Sequence, residues 1–179
     1  MKQFAFILIV GFMHVMYAEA QVSEFVRIGN EALNQRKYEI AIEQYNKALM
    51  LDAKAAPQAI FNRGIAYSRL GKDSAALYDF DIYLELFPDN PTTYTARGVL
   101  FHKMGKKAEA LADLTRAVEL DSLNSVAWAA LGDTYLTMSQ RSLALQAWEK
   151  SVKTDPKGPY ANHVREQIER LKKSVPQTK

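Results

Sequence analysis

The sequence predicts an all-α fold, a solenoid of four helical hairpins followed by one further helix. Three observations predict it. Gly64, Gly98 and Gly132 stand 34 residues apart, and Gly29 precedes Gly64 by 35. Around each glycine, large apolar residues recur at spacings of four and three, which keep them on one helix face. Glycines at 71 and 105 and prolines at 88 and 156 punctuate the same pattern. Self-similarity at such a period marks a supersecondary unit that buries its apolar face against its neighbours.

Composition bounds the rest. At 179 residues and 48% hydrophobic, the chain has material for one ordinary domain. Its 23 basic and 20 acidic residues are interspersed and leave a formal net charge of +3. No basic block or aromatic–basic platform accompanies them, so nucleic acid is not an expected partner. The absence of cysteine excludes disulfides, thiolate metal sites, cysteine nucleophiles and lipid attachment at cysteine.

Residues 1–20 read as a secretory signal peptide. Lys2 gives a positive start, an apolar run spans Phe4 to Tyr17, and Ala18-Glu19-Ala20 forms a small-x-small cleavage site before Gln21. The run falls short of the roughly 20 apolar residues a spanning helix needs. The expectation is export, with a periplasmic or secreted mature chain from Gln21. An uncleaved N-terminal membrane anchor is the alternative.

Four windows align, 22–55, 57–90, 91–124 and 125–158. The extra residue between the first two falls in the polar, proline-ended connection Asp52 to Pro57. A loop absorbs an insertion that would rotate a helix's apolar face. The first helix of a window carries Ile60, Gly64 and Tyr67, or Tyr94, Gly98 and Phe101, or Trp128, Gly132 and Tyr135. Glycine inside a helix costs about 1 kcal/mol against alanine, so its recurrence predicts a close helix–helix approach. Gly71 and Gly105 suit a left-handed helix end. Arg36 and Ser139 stand in the other two turns, which are expected to be less ideal. The second helix carries Ala41, Ala76, Ala110 or Ala144, and four residues later Tyr45, Phe80, Leu114 or Trp148. The small residue lets the hairpin close and the bulky one fills the seam. Pro88 and Pro156 stop their helices.

Trp128, Leu131, Gly132, Tyr135, Ala144, Trp148 and Pro156 carry a resemblance to the tetratricopeptide repeat, which extends over 21–158. Departures are Arg63 and Arg97 where leucine is usual and Ala32 where an aromatic is. Tyr83 and Ser151 replace alanine, and Ala53 and Ser122 replace proline. The resemblance implies a right-handed α-solenoid over 21–173. Residues 159–173 read as a capping helix with a stripe of Tyr160, Val164, Ile168 and Leu171, and 174–179 are expected to be a disordered tail.

Little in the residues points to catalysis. Beyond the leader, His102 and His163 lack a second ligand at metal spacing. Each glycine is solitary, so no loop cradles phosphate. Asp79 and Asp81 lie on different faces of a helix and read as solvated or paired. No enzyme activity, metal, cofactor or small-molecule substrate is expected. The resemblance implies instead a concave groove built by the first helix of each repeat. It implicates Val26, Asn30 and Leu33, then Phe61, Asn62, Ile65 and Arg69. Thr92, Thr95, Val99 and His102 follow, then Ala129, Asp133 and Leu136. This mixed set suits a peptide whose side chains enter apolar spots and whose backbone meets amides. One subfamily clamps a chaperone's terminal carboxylate with basic residues and asparagines. Asn30 and Asn62 match its asparagines, but Val26, Thr92 and Ala96 stand at its basic positions, and without cations the carboxylate lacks charge-assisted partners. The expected function is an exported scaffold or adaptor that binds a peptide or protein segment. The alternative is a structural protein that dimerises through its groove or uncapped first repeat.

Overall fold

Nine helices account for nearly all of the described residues of the computed structural model, in the order the repeat predicts. Residues 2–54 and 56–173 are described, with side chains from Met16 onward, so the expected tail at 174–179 lies outside the described residues. The chain divides into two compact units, residues 1–86 and 87–179.

The first unit holds α1 (Lys2–Asn34), α2 (Tyr38–Asp52), α3 (Pro57–Arg69) and α4 (Asp73–Leu86). The pairs α1/α2 and α3/α4 are antiparallel hairpins, and α3 packs on both α1 and α2. Helix α1 runs unbroken through the expected cleavage point at Ala20–Gln21. Residues 16–20 are largely exposed, and the first buried residue among the described side chains is Val22. The core is built from Ala32, Ala41, Tyr45, Ala48 and Ala59, with Phe25, Leu33 and Leu49 packed against it.

The second unit holds α5 (Pro91–Lys103), α6 (Lys107–Leu120), α7 (Ser125–Thr137), α8 (Arg141–Thr154) and α9 (Ala161–Lys173). Asn90 and Asn124 cap α5 and α7 by accepting hydrogen bonds from the backbone N–H of Thr93 and Ala127, at 2.8 and 2.9 Å. Helix α9 lays Val164, Ile168 and Leu171 over Trp148, Ala144 and Ala129. It starts two residues later than expected, so buried Ala161 sits in the seam and Tyr160 is left half-exposed.

The glycine beat has the predicted cause. A Cβ placed on Gly29 would come within 2.6 Å of the Tyr45 ring, and on Gly64 within 2.8 Å of Phe80. On Gly98 it would lie 2.8 Å from Leu114, and on Gly132 it would strike the Trp148 indole. Each bulky partner lies sixteen residues after its glycine and is fully buried. Such burial contributes about 1.5–3 kcal/mol per side chain.

All four hairpin turns share one geometry, contrary to the expectation for the first and last. Lys72 N–H bonds to Tyr67 C=O and Gly71 N–H to Ser68 C=O, the two bonds of a Schellman end, with Gly71 at φ +73°. The same pair of bonds closes the turns at Gly105, Arg36 and Ser139. Arg36 at φ +59° and Ser139 at φ +62° hold the left-handed conformation without being glycine. The tertiary hairpin therefore dictates the turn, and two of its residues tolerate strain.

Departures from the repeat pattern are compensated by hydrogen bonds. Buried Tyr83 donates its hydroxyl to Gln58 Oε1 at 2.9 Å, and buried Ser151 donates to Ser125 C=O at 2.8 Å. Ser122 C=O accepts from the Trp128 indole N–H at 3.0 Å.

Candidate functional site

In the first unit the predicted residues lie on α1 and α3, and they gather around an amide contact. Asn62 Nδ2 donates to Asn30 Oδ1 at 2.8 Å, bridging residues 32 apart in sequence. The Tyr45 hydroxyl donates to the same oxygen at 2.8 Å. Burial pushes the Tyr45 phenol up to about 12, against a smaller downward pull from Asn62. The Asn30 carbonyl is thus saturated from inside the fold. Asn30 Nδ2 and Asn62 Oδ1 remain as a donor and an acceptor for an incoming backbone.

Two clefts flank this contact. One, of about 370 Å³, is lined by Val22, Val26 and Asn30 of α1 with Ala56, Pro57 and Ala59. The other, of about 390 Å³, is lined by Leu33, Tyr38, Ile65 and Arg69 together with Asn34 and Arg36. Phe61 is placed differently. Its ring packs against Phe80 and Tyr83, centroids 5.9 and 5.4 Å away, so it belongs to the α3–α4 seam.

In the second unit the predicted residues separate. Thr92 and Val99 are exposed, Val99 by 41%. Thr95 is a correction: it is 7% exposed and its hydroxyl is engaged internally. It donates to Pro91 C=O at 2.8 Å and accepts from Asn124 Nδ2 at 3.0 Å. Leu136 packs against the core beneath α9. Ala129 is buried in that core too, where it forms the floor of a cleft of about 90 Å³. Val99, His102 and Asp133 line that cleft with Val126, Ala130 and Tyr160.

Asp133 carries the electrostatics of this cleft. Trp148 Nε1–H donates to its Oδ1 at 3.0 Å. Burial holds its carboxyl above the usual range, opposed by the Trp148 hydrogen bond and by His163 and His102. His102 Nδ1 lies 3.1 Å from Thr134 Oγ1, whose own proton goes to Ala130 C=O at 2.8 Å. The hydroxyl is therefore the acceptor, and His102 Nδ1 carries the proton.

Sequence reasoning missed the strongest polar contacts near these faces. Arg63 and Asp79 form a bidentate pair, Nε to Oδ2 at 2.9 Å and a terminal nitrogen to Oδ1 at 2.6 Å. Asp79 is 1% exposed. Arg63 also donates to Asn46 Oδ1 at 2.7 Å, tying α3 to α2. Burial nevertheless raises the Asp79 carboxyl, outweighing the downward pull of the Arg63 guanidinium. Arg97 and Asp113 repeat the pair at 2.7 and 2.9 Å. The signal was available, because both arginines precede their aspartates by sixteen residues and the pairs recur at 34. Among the described residues no cluster of three His, Asp or Glu side chains is arranged to hold a metal.

Comparison with known proteins places this geometry. Two family profiles, both of the tetratricopeptide repeat, match residues 26–91 and 91–122, together more than half of the chain. The fold is similar to that of MamA protein, with 21% identity, a TM-score of 0.69, and 86% of this chain and 87% of that one covered. It is similar to YrrB, described as a TPR protein with an unusual peptide-binding site, with 21% identity, a TM-score of 0.68, and 81% and 74% covered. It also resembles the first TPR of Spaghetti (RPAP3) bound to the HSP90 peptide SRMEEVD, with 20% identity, a TM-score of 0.60, and 65% and 90% covered. At such identities the likeness speaks to fold alone. Comparison with curated proteins by sequence gives no match.

Proposed function

We propose, since this chain belongs to the tetratricopeptide-repeat family, that it is an exported adaptor whose first-helix faces hold a segment of a partner protein. The observation that carries this reading is the Asn30–Asn62 contact set between two clefts on α1 and α3. An extended chain presents backbone donors and acceptors with side chains on alternate sides, and this face offers one amide donor, one amide acceptor and two clefts. YrrB, described by its peptide-binding site, and the Spaghetti repeat with its bound peptide support the use of such a fold for peptides. A peptide such as SRMEEVD, held by the Spaghetti repeat, is not the ligand proposed here, because Val26, Thr92 and Ala96 supply no cations for a terminal carboxylate.

Export rests on the pattern of residues 1–20, with cleavage before Gln21. N-terminal sequencing of material from the cell envelope is expected to read Gln21 first. Met1 retained in a membrane fraction would replace export by anchoring.

A photo-crosslinker at Ile65, compared with one at exposed Glu43 of α2, tests the binding reading in cells. Ile65 is expected to capture a defined partner, with capture lost in Asn62→Ala, while Glu43 captures none. Capture of a second copy of this chain would favour self-association. Equal capture at both positions would refute the groove.

A further inference from the structure

Among the lining residues of the cleft between α5 and α7, Asp133 is the single formal charge. Its Oδ1 is occupied by the Trp148 indole N–H, which leaves Oδ2 as the remaining acceptor. The titratable groups that bear on it are His163 of α9 and His102 of α5, and Tyr160 also lines the cleft. Among the described residues no lysine or arginine pairs with it. This differs from Asp79 and Asp113, each of which is held by an arginine of its own hairpin. A carboxylate moved out of water without a cation is destabilised until one arrives. The walls beside it, Val99, Val126 and Ala130, are aliphatic.

Resting on the reading of this face as a peptide groove, we propose that the α5–α7 cleft takes a lysine side chain of the partner segment, its ammonium on Asp133 Oδ2 and its methylenes along Val99 and Val126. Charge complementarity selects a cation. With one oxygen already committed, the carboxylate presents a single acceptor, which suits a compact ammonium better than the two-pronged guanidinium of arginine. The long stem of lysine covers apolar surface while its head keeps a charged partner. The cleft is small, about 90 Å³, and has room for the end of one such side chain.

The test follows the indole N–H resonances of the chain's two tryptophans, assigned by a Trp128→Phe variant. Nα-acetyl-lysine N-methylamide is titrated into the protein while both indole signals are followed. The Trp148 signal is expected to shift saturably, with a dissociation constant on the order of millimolar, while the Trp128 signal stays. The norleucine analogue, which has the stem without the charge, is expected to leave Trp148 unmoved. Asp133→Asn keeps an acceptor for Trp148 and is expected to lower lysine affinity more than tenfold. Val99→Lys supplies an ammonium from within and is expected to do the same at an exposed position that the fold tolerates. Equal shifts with norleucine, binding that persists in both variants, or no shift would each overturn the proposal. Peptide capture at Ile65 without any lysine response would sink this inference and leave the adaptor reading standing. A lysine response without capture would do the reverse.

Discussion

Removing one partner of the Arg63–Asp79 pair should cost far more than removing both. Asp79→Ala strands a guanidinium that now donates to Asp79 at 2.9 and 2.6 Å and to Asn46 at 2.7 Å. Breaking a buried pair from one side typically costs 3–5 kcal/mol. The Arg63 side chain is 18% exposed and keeps Asn46, so the guanidinium recovers some hydration. That places Asp79→Ala near the low end, about 3 kcal/mol. The chain supplies its own apolar version of the site, since Leu131 and Ala147 stand at the same positions of the fourth hairpin and are buried there. Arg63→Leu combined with Asp79→Ala should therefore lie within about 1 kcal/mol of the parent, because an apolar replacement removes both desolvation penalties. With Arg63→Leu costing about 3 kcal/mol as well, because it strands a buried carboxylate, the coupling energy between the two sites would be about 5 kcal/mol in magnitude. Urea unfolding followed by far-UV circular dichroism measures it, with the slope checked for constancy because repeat arrays lose cooperativity readily. A double variant as unstable as Asp79→Ala, or single costs that simply add, would refute the reasoning.

Gly132→Ala should destabilise by about 1–3 kcal/mol, since the new methyl strikes the rigid Trp148 indole and overpacking exceeds the gain in helix propensity. Gly98→Ala meets the movable Leu114 side chain and should cost less; thermal unfolding of the two variants checks the order. Arg36→Gly and Ser139→Gly should each stabilise by about 0.5–1 kcal/mol by relieving a positive φ, and a fall in melting temperature would contradict the strained-turn argument. For Asp133 the carboxyl pKa is raised in the fold, so between 3.8 and its folded value the native state holds more protons than the unfolded one. Stability from this group therefore declines as pH rises through that window. Asp133→Asn should match the parent at low pH and exceed it at neutral pH, and a variant less stable at neutral pH would show that the charge is stabilising.

The hairpins were legible because their cause is local and repeated. Gly29, Gly64, Gly98 and Gly132 with their bulky partners sixteen residues on recur often enough that accidental residues average away. The candidate site was less legible, because periodicity names a helix face and says nothing of what each side chain does there. Phe61 sits in the right window but turns to Phe80 and Tyr83. Thr95 spends its hydroxyl on Pro91 and Asn124. Arg63 and Arg97 read as departures from a leucine pattern, while their aspartates were seen singly or not at all, since pairing across a hairpin depends on three-dimensional register.

By itself, the sequence determined the repeat, the helix hairpins and the packing role of the glycines, because each follows from spacing along one or two helices. Tertiary structure alone decided that Arg36 and Ser139 adopt the glycine turn, because the hairpin they close outweighs their backbone preference. It alone decided that Asn30 is saturated from within, that Asp79 and Asp113 are paired, and that Asp133 stands at a cleft without a lysine or arginine. Those outcomes depend on which atoms meet between helices, and hydrogen bonding and desolvation act over distances that only the packed chain sets.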